Sequence, residues 1–132
     1  MIFNLYKPKD FSSFDIVKKV KYITKEKVGH SGTLDPFADG VLVLGVGKST
    51  KKLSDIIQFD KTYEGIIKLG AKTDSMDLTG NIVDTKEVPK ISSKSLKECS
   101  NKFTGDLLQR TPMFSARKIN GVRLYKLARK NI

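Results

Sequence analysis

The sequence predicts an α+β fold, a mixed and largely antiparallel β-sheet with helices packed on it. Three observations lead there. Strand-like and helix-like segments intermingle without a regular β-α-β rhythm. Three of the helical segments open on side-chain caps. Asn120-Gly121 is a strong two-residue hairpin signal, and a hairpin pairs its strands antiparallel.

The elements follow in order. "IFNLY", Ile2 to Tyr6, reads as a first strand, stopped by Lys7-Pro8. "SSFDIVKKVKYITK" reads as a helix: Ser12 and Asp15 make an S-x-x-D cap, and Ile16, Val17, Val20 and Ile23 form its apolar stripe. Lys18, Lys19, Lys21 and Lys25 occupy the other face. A glycine-rich loop follows. "VLVLGV", Val41 to Val46, is a short apolar run between Gly40 and Gly47 and reads as a buried strand. "STKKLSDIIQF" reads as a helix capped by Ser49 or Thr50, with Leu53, Ile56 and Ile57 inward. "KTYEGIIKLG" alternates like a strand, with Tyr63, Gly65, Ile67 and Leu69 on one face. "AKTDSMDLTGN" is a polar loop, in which Asp74 and Asp77 read as turn formers, and "IVDTKEV" is a further strand. "SSKSLKECSNKF" is a capped helix with Leu96, Cys99 and Phe103 as apolar positions. After the Asn120-Gly121 hairpin, "RLYKLARKN" looks like the first turns of a helix.

Composition narrows the function. At 132 residues the chain suits one small domain, and 39% hydrophobic with 30% charged residues is ordinary for a folded protein. No apolar run approaches the roughly 20 residues that cross a bilayer, and "MIFNLYKPKDF" lacks the apolar stretch of a signal peptide. The expectation is a cytoplasmic monomer. One Cys and one His cannot build a closed zinc site or an internal disulfide, while an oxygen-ligand metal site stays open, though no EF-hand spacing is present. Cys99 reads as a small apolar filler.

The net charge is +11, from 25 Lys and Arg against 14 Asp and Glu, which favours a polyanionic partner, above all nucleic acid. The surplus is uneven. Residues 1–28 hold seven Lys against three acids, and residues 106–132 hold seven basic residues against Asp106 alone. Residues 54–80 between them hold three Lys and five acids. Basic ends around an acidic middle point to a patch rather than an even coat.

The segment "GHSGTLDPFADGVLVLGVGKST" admits two kinds of chemistry. Its tail suggests a phosphate loop, but G-x-x-x-x-G-K-[ST] requires a glycine at position 42, where Leu42 stands. Gly40 comes two residues too early, and a strand runs through the span the loop would need. A nucleotide hydrolase is therefore the weakest reading. The other end is more informative. Gly29, Gly32 and Gly40 permit an irregular loop, and Pro36 biases Asp35 away from helical backbone. The result is a carboxylate held at the end of a stiff turn, just before a buried strand. Such a group is able to act as nucleophile or base, although Asp-Pro and glycine clusters are also ordinary turn chemistry.

The same segment resembles the signature of the TruB family of tRNA pseudouridine synthases, and the resemblance runs along the whole chain. "NLYKPKDFSSFDIVKKVK" resembles the family's opening strand, K-P turn and helix. "DKTYEGIIKLGAKTDSMDLTGNIV" resembles its second motif, and "TPMFSARKINGVRLYKLAR" its thumb segment. The resemblance implies a pseudouridine synthase catalytic fold and isomerisation of the T-loop uridine of tRNA to pseudouridine, with no metal or organic cofactor. It implies that Asp35 is catalytic. It implies that His30 helps hold or extrude the target nucleotide, that Tyr63 stacks on the flipped base, and that Lys61 is the basic residue beside it. A base inside a folded loop must be extruded before a carboxylate can reach it, and stacking on an aromatic ring is worth roughly 1–3 kcal/mol per base. Arg110, Arg117, Lys118, Arg123 and Arg129, in the thumb-like residues 106–132, become phosphate contacts on tRNA.

Phe114 departs from the tyrosine usual in the family's P-x-Y-S-A run. The resemblance also makes residues 1–132 the N-terminal part of a catalytic domain, without a C-terminal RNA-binding domain. The arginine that pairs with the family's catalytic aspartate is not within them, so the chain by itself is expected to have little activity. The competing expectation is a non-catalytic RNA-binding module or tRNA folding helper that uses the same basic surface.

Overall fold

Ile2–Lys7 forms strand β1, in which Phe3, Leu5 and Lys7 turn inward while Ile2, Asn4 and Tyr6 stay exposed, the alternation of a half-buried strand. Pro8 ends it, having no N–H to extend the ladder. The computed structural model describes residues 1–109, 111, 113, 115 and 117–128, so the readings of Arg110, Phe114 and Arg129 lie outside the described residues. It divides the chain into two compact units, Met1–Glu64 and Gly65–Ile132.

In the first unit, helix α1 spans Ser13–Thr24. Its start is the capping box expected from S-x-x-D. The Ser12 hydroxyl accepts from the Asp15 amide at 3.2 Å, and the Asp15 carboxylate accepts from the Ser12 amide at 3.1 Å. Lys25, in the left-handed conformation at φ 55°, closes the helix. Strands β2 (Val28–His30) and β3 (Gly40–Val46) complete an antiparallel sheet in the order β1-β3-β2. Leu44 of β3 lies between Phe3 of β1 and His30 of β2.

The core forms where α1 crosses this sheet. Ile16 and Val17 meet Leu42 and Leu44, with Leu5, Val20 and Val28 packed around them. Ile23, the last residue of the expected stripe, is exposed. The other side of β3 seats Leu53. A Cβ on Gly45 would lie 3.1 Å from Leu53 Cγ, and one on its cross-strand partner Gly29 would lie 3.1 Å from Leu53 Cδ1. The two glycines thus make the hollow that buries Leu53.

The chain leaves β3 differently from the expected Ser49 or Thr50 cap. Gly47, at φ 62°, turns it at once into a 3₁₀ segment, Gly47–Lys52, which runs into helix α2 (Leu53–Ile56). Ser49 and Thr50 then sit inside the helical turns. Ser49 accepts from the N-terminal amine at 2.9 Å, and Thr50 donates to the Gly47 carbonyl at 2.9 Å. Leu53 is buried as expected, while Ile57 is exposed.

A second correction concerns residues 61–70. They form no strand, and Tyr63, Ile66, Ile67 and Leu69 are all exposed. Alternating side chains do not suffice for a strand, whose N–H and C=O groups need a neighbouring ladder. None of the described strands pairs with this segment.

In the second unit, β4 (Ala71–Thr73) and β5 (Ile82–Thr85) form a bulged antiparallel pair. Asp74 and Asp77 organise the loop between them, as turn formers do. Asp77 accepts from the Ser75 hydroxyl at 2.7 Å and from the Thr79 amide at 2.8 Å, and Asp74 accepts from the Asn81 amide at 3.0 Å. Helix α3 (Ser93–Asn101) is capped by Ser92, as its sequence predicts. Its apolar positions are not covered: Leu96, Cys99 and Phe103 are exposed, so Cys99 fills no core. Helical spacing aligns such residues, but burial needs an opposing face. Strands β6 (Lys118–Ile119) and β7 (Val122–Arg123) form the expected hairpin, with Asn120 at φ 49° and Gly121 at φ 80°, as a type I′ turn requires. Helix α4 (Leu124–Ala128) follows, with Leu124 buried. All pairings are antiparallel, which with the helices is the α+β class expected.

Candidate active site

The loop from Ser31 to Asp39 joins β2 to β3 and carries Asp35. Its entry is fixed by His30, the last residue of β2. His30 Nδ1 lies 2.6 Å from the Gly32 carbonyl oxygen. A carbonyl only accepts, so Nδ1 carries a hydrogen and Nε2 is left for another partner. The buried Ser31 amide donates to Val43 at 3.0 Å, continuing the sheet for one more bond.

At the centre, Asp35 opens a tight turn. Its carbonyl accepts from the Ala38 amide at 3.1 Å, with Pro36 next in line, where its fixed φ suits a turn. Both neighbours of Asp35 are tied to the junction of β1 and α1. The Ser13 hydroxyl accepts from the Leu34 amide at 2.9 Å and donates to the Leu34 carbonyl at 3.1 Å. The Pro36 carbonyl accepts from the Asp10 amide at 2.8 Å and from Lys7 Nζ at 3.4 Å. Lys7 is fully buried, and its ammonium also donates to the carbonyls of Phe11 at 2.7 Å and Pro8 at 3.0 Å. Three carbonyl oxygens replace the water that a buried cation would otherwise need.

The far end of the loop is held by Asp39, whose carboxylate accepts from the Tyr6 hydroxyl. That bond, ahead of the nearby Lys9 and Lys7 charges, holds the Asp39 carboxyl below the usual carboxylate range, and it raises the Tyr6 phenol.

Against this web of fixed backbone, the Asp35 side chain is exposed and takes no hydrogen bond or ion pair from any described residue. A carboxylate in that state is open to a ligand from solvent. It has both oxygens available to attack a carbon centre or to accept a proton.

The remaining expected residues are more dispersed. Lys61 Nζ donates to the carbonyls of Ile57 and Phe59, each at 2.7 Å, and so closes the end of α2. Tyr63 lies on the exposed segment beyond it, not on the inward face of a strand as its alternation predicts. Neither residue makes a hydrogen bond, ion pair or ring contact with Asp35 or His30. In the second unit, Arg117 donates to the Thr111 hydroxyl at 3.2 Å. Lys118 and Arg123 face each other across the β6–β7 hairpin, and all three are exposed. No cluster of three or more His, Cys, Asp or Glu that could hold a metal occurs among the described residues, and none of their helices is long and apolar enough to cross a membrane.

Reading the sequence missed Ser13, Lys7, Tyr6 and Asp39 as parts of this loop. One signal was present for Ser13. The "SS" doublet at the start of α1 holds one more hydroxyl than the cap uses.

Comparison with known proteins places this sequence in a family. The family model described as "TruB family pseudouridylate synthase (N terminal domain)" matches residues 19–132. A protein of Clostridium tetani named tRNA pseudouridine synthase B is 45% identical over 132 residues, covering 99% of this chain and 46% of its own length. Proteins of the same name from Chlorobaculum tepidum and Rickettsia felis are 44% and 48% identical over 128 residues, covering 93% and 96% of this chain and 53% and 38% of their own. The chain spans about half the length of the curated relatives it matches. It belongs to the TruB family of pseudouridylate synthases.

Proposed function

We propose that this member of the TruB family is the catalytic portion of a tRNA pseudouridine synthase that isomerises the T-loop uridine, with Asp35 as the catalytic residue. Residues 1–132 then form the N-terminal part of the catalytic domain, and residues 106–132 its thumb. The single observation that carries the reading is the state of Asp35. Its backbone is tied down on both sides, while its carboxylate is exposed and without a partner among the described residues. Among the described residues, no hydrogen bond or ion pair that holds the fold uses that carboxylate.

The reaction breaks the C1′–N1 glycosidic bond of uridine and forms a C1′–C5 bond, with the proton lost from C5 to solvent balanced by one taken up at N1. Asp35 attacks the base or its ribose, or assists departure of the base. His30, whose Nδ1–H is committed to Gly32, presents Nε2 to help hold the extruded nucleotide. Tyr63, exposed as a stacking platform must be, takes the face of the base, with Lys61 beside it.

The basic residues fit RNA as well. Lys118 and Arg123 lie directly opposite each other in a hairpin of two-residue strands. Like charges so placed oppose the pairing, and a phosphate between them would relieve the repulsion. Arg117 extends the same surface, and Arg110 and Arg129 are further basic residues of the 106–132 sequence. The chemistry and the setting suit a cytoplasmic monomer acting without metal or organic cofactor.

Release of tritium from tRNA labelled at uridine C5 tests the proposal. The full-length protein should release one tritium per tRNA, and none when the T-loop uridine is replaced by cytidine. Equal release from both RNAs, or none from either, contradicts it.

A further inference from the structure

Ser13 is the first residue of α1 and is 2% exposed. It is not the cap, since Ser12 performs that role. Its hydroxyl instead holds both backbone groups of Leu34, accepting from the amide at 2.9 Å and donating to the carbonyl at 3.1 Å. One turn further along α1, Ile16 and Val17 are locked in the core. The contact therefore ties the loop to a helix whose next turn is packed in the core, 21 residues away in sequence. On the other side of Asp35, Pro36 is held by Asp10 and Lys7. The Asp35 side chain has no described partner of its own, so only its backbone fixes where the carboxylate sits.

We propose that Ser13 is a positioning residue for Asp35, setting the carboxylate against the nucleotide through Leu34 without touching the substrate. The inference rests on the reading of Asp35 as the catalytic group. A catalytic group has to be held within about 0.5 Å of its productive place, and a misplacement of about 1 Å can cost on the order of 100-fold in rate. Loss of the Ser13 hydroxyl frees both Leu34 groups at once and loosens one of the two flanks.

The test is Ser13→Ala in the full-length protein, read by single-turnover tritium release, KM for tRNA and melting temperature, with Asp35→Asn alongside. The expected result is a single-turnover rate lower by on the order of 10- to 100-fold at unchanged KM, in protein that is still folded. A purely structural serine would lower the melting temperature and leave the rate of the folded enzyme unchanged, and that result overturns the inference. If Asp35→Asn is inactive and Ser13→Ala keeps the wild-type rate, the positioning role fails and the assignment of Asp35 stands. If Asp35→Asn keeps turning over, both fail. Should Ser13→Ala not fold, amide hydrogen exchange on the wild-type protein decides. Leu34 must exchange far more slowly than the exposed Thr33, and exchange at the free-peptide rate overturns the proposal.

Discussion

Leu44→Ala offers the sharpest view of what holds the loop in place. Leu44 is wholly buried at the centre of β3, between Phe3 and His30 in the ladder and beneath Ile16 and Val17 of α1. The substitution removes three carbons from a site that collapses poorly, since the sheet is hydrogen-bonded on both sides of β3. Core Leu→Ala changes cost about 2–5 kcal/mol, and this enclosure places Leu44→Ala near 3 kcal/mol. With a shift of about 4–8 °C per kcal/mol for a unit of this size, the melting temperature should fall by roughly 12–24 °C. Val41→Ala on the same strand is the control, because Val41 is 68% exposed. It should cost under about 1 kcal/mol. Urea unfolding followed by far-UV circular dichroism measures both. Equal costs for the two variants, or a Leu44→Ala cost below about 0.5 kcal/mol, would refute the placement of the core at the α1–β3 crossing.

Acid should destabilise the protein from below about pH 4, because Asp15 and Asp39 are held under the ordinary carboxylate range by the hydroxyls of Ser12 and Tyr6. In Asp77 burial pushes upward, but the Thr79 and Ser75 hydrogen bonds outweigh it and leave it lowered too. A depressed folded pKa gives stability that is complete above the unfolded value and lost as pH falls through the folded one, so the melting temperature should hold from pH 7 to 5 and drop below 4. A melting temperature that rises on acidification contradicts these contacts. On the RNA side, Lys118→Ala and Arg123→Ala in the full-length protein should each weaken tRNA binding and reduce the slope of log affinity against log salt by about 1. An unchanged slope in both variants removes the hairpin from the RNA surface.

Several elements were legible because their signals are local. In the first unit the S-x-x-D cap announced α1 and the apolar run Val41–Val46 announced β3, and in the second Asn120-Gly121 announced the β6–β7 turn. Asp35 stood out through Pro36 and the surrounding glycines. What sequence did not disclose depends on distant partners. Lys7 and Ser13 reach residues 29 and 21 positions away, and nothing in their own neighbourhoods names Pro36 or Leu34. The error at residues 61–70 has the same origin. Alternation stated which side chains would share a face, but a strand also needs a neighbour, and the periodicity of one segment carries no information about that. Leu96, Cys99 and Phe103 repeat the lesson on a helix, with correct spacing and no opposing surface among the described residues.

The central claim is that a backbone-fixed carboxylate, unpartnered among the described residues, performs the chemistry. Its most direct test is Asp35→Asn in the full-length protein, a near-isosteric change that removes the charge and leaves the turn intact. Pseudouridine at the T-loop position and tRNA affinity are measured on the same preparation. The account predicts that pseudouridine formation disappears while affinity stays within about threefold of wild type, binding being carried by the basic surface. Pseudouridine formed at an appreciable fraction of the wild-type rate would contradict it.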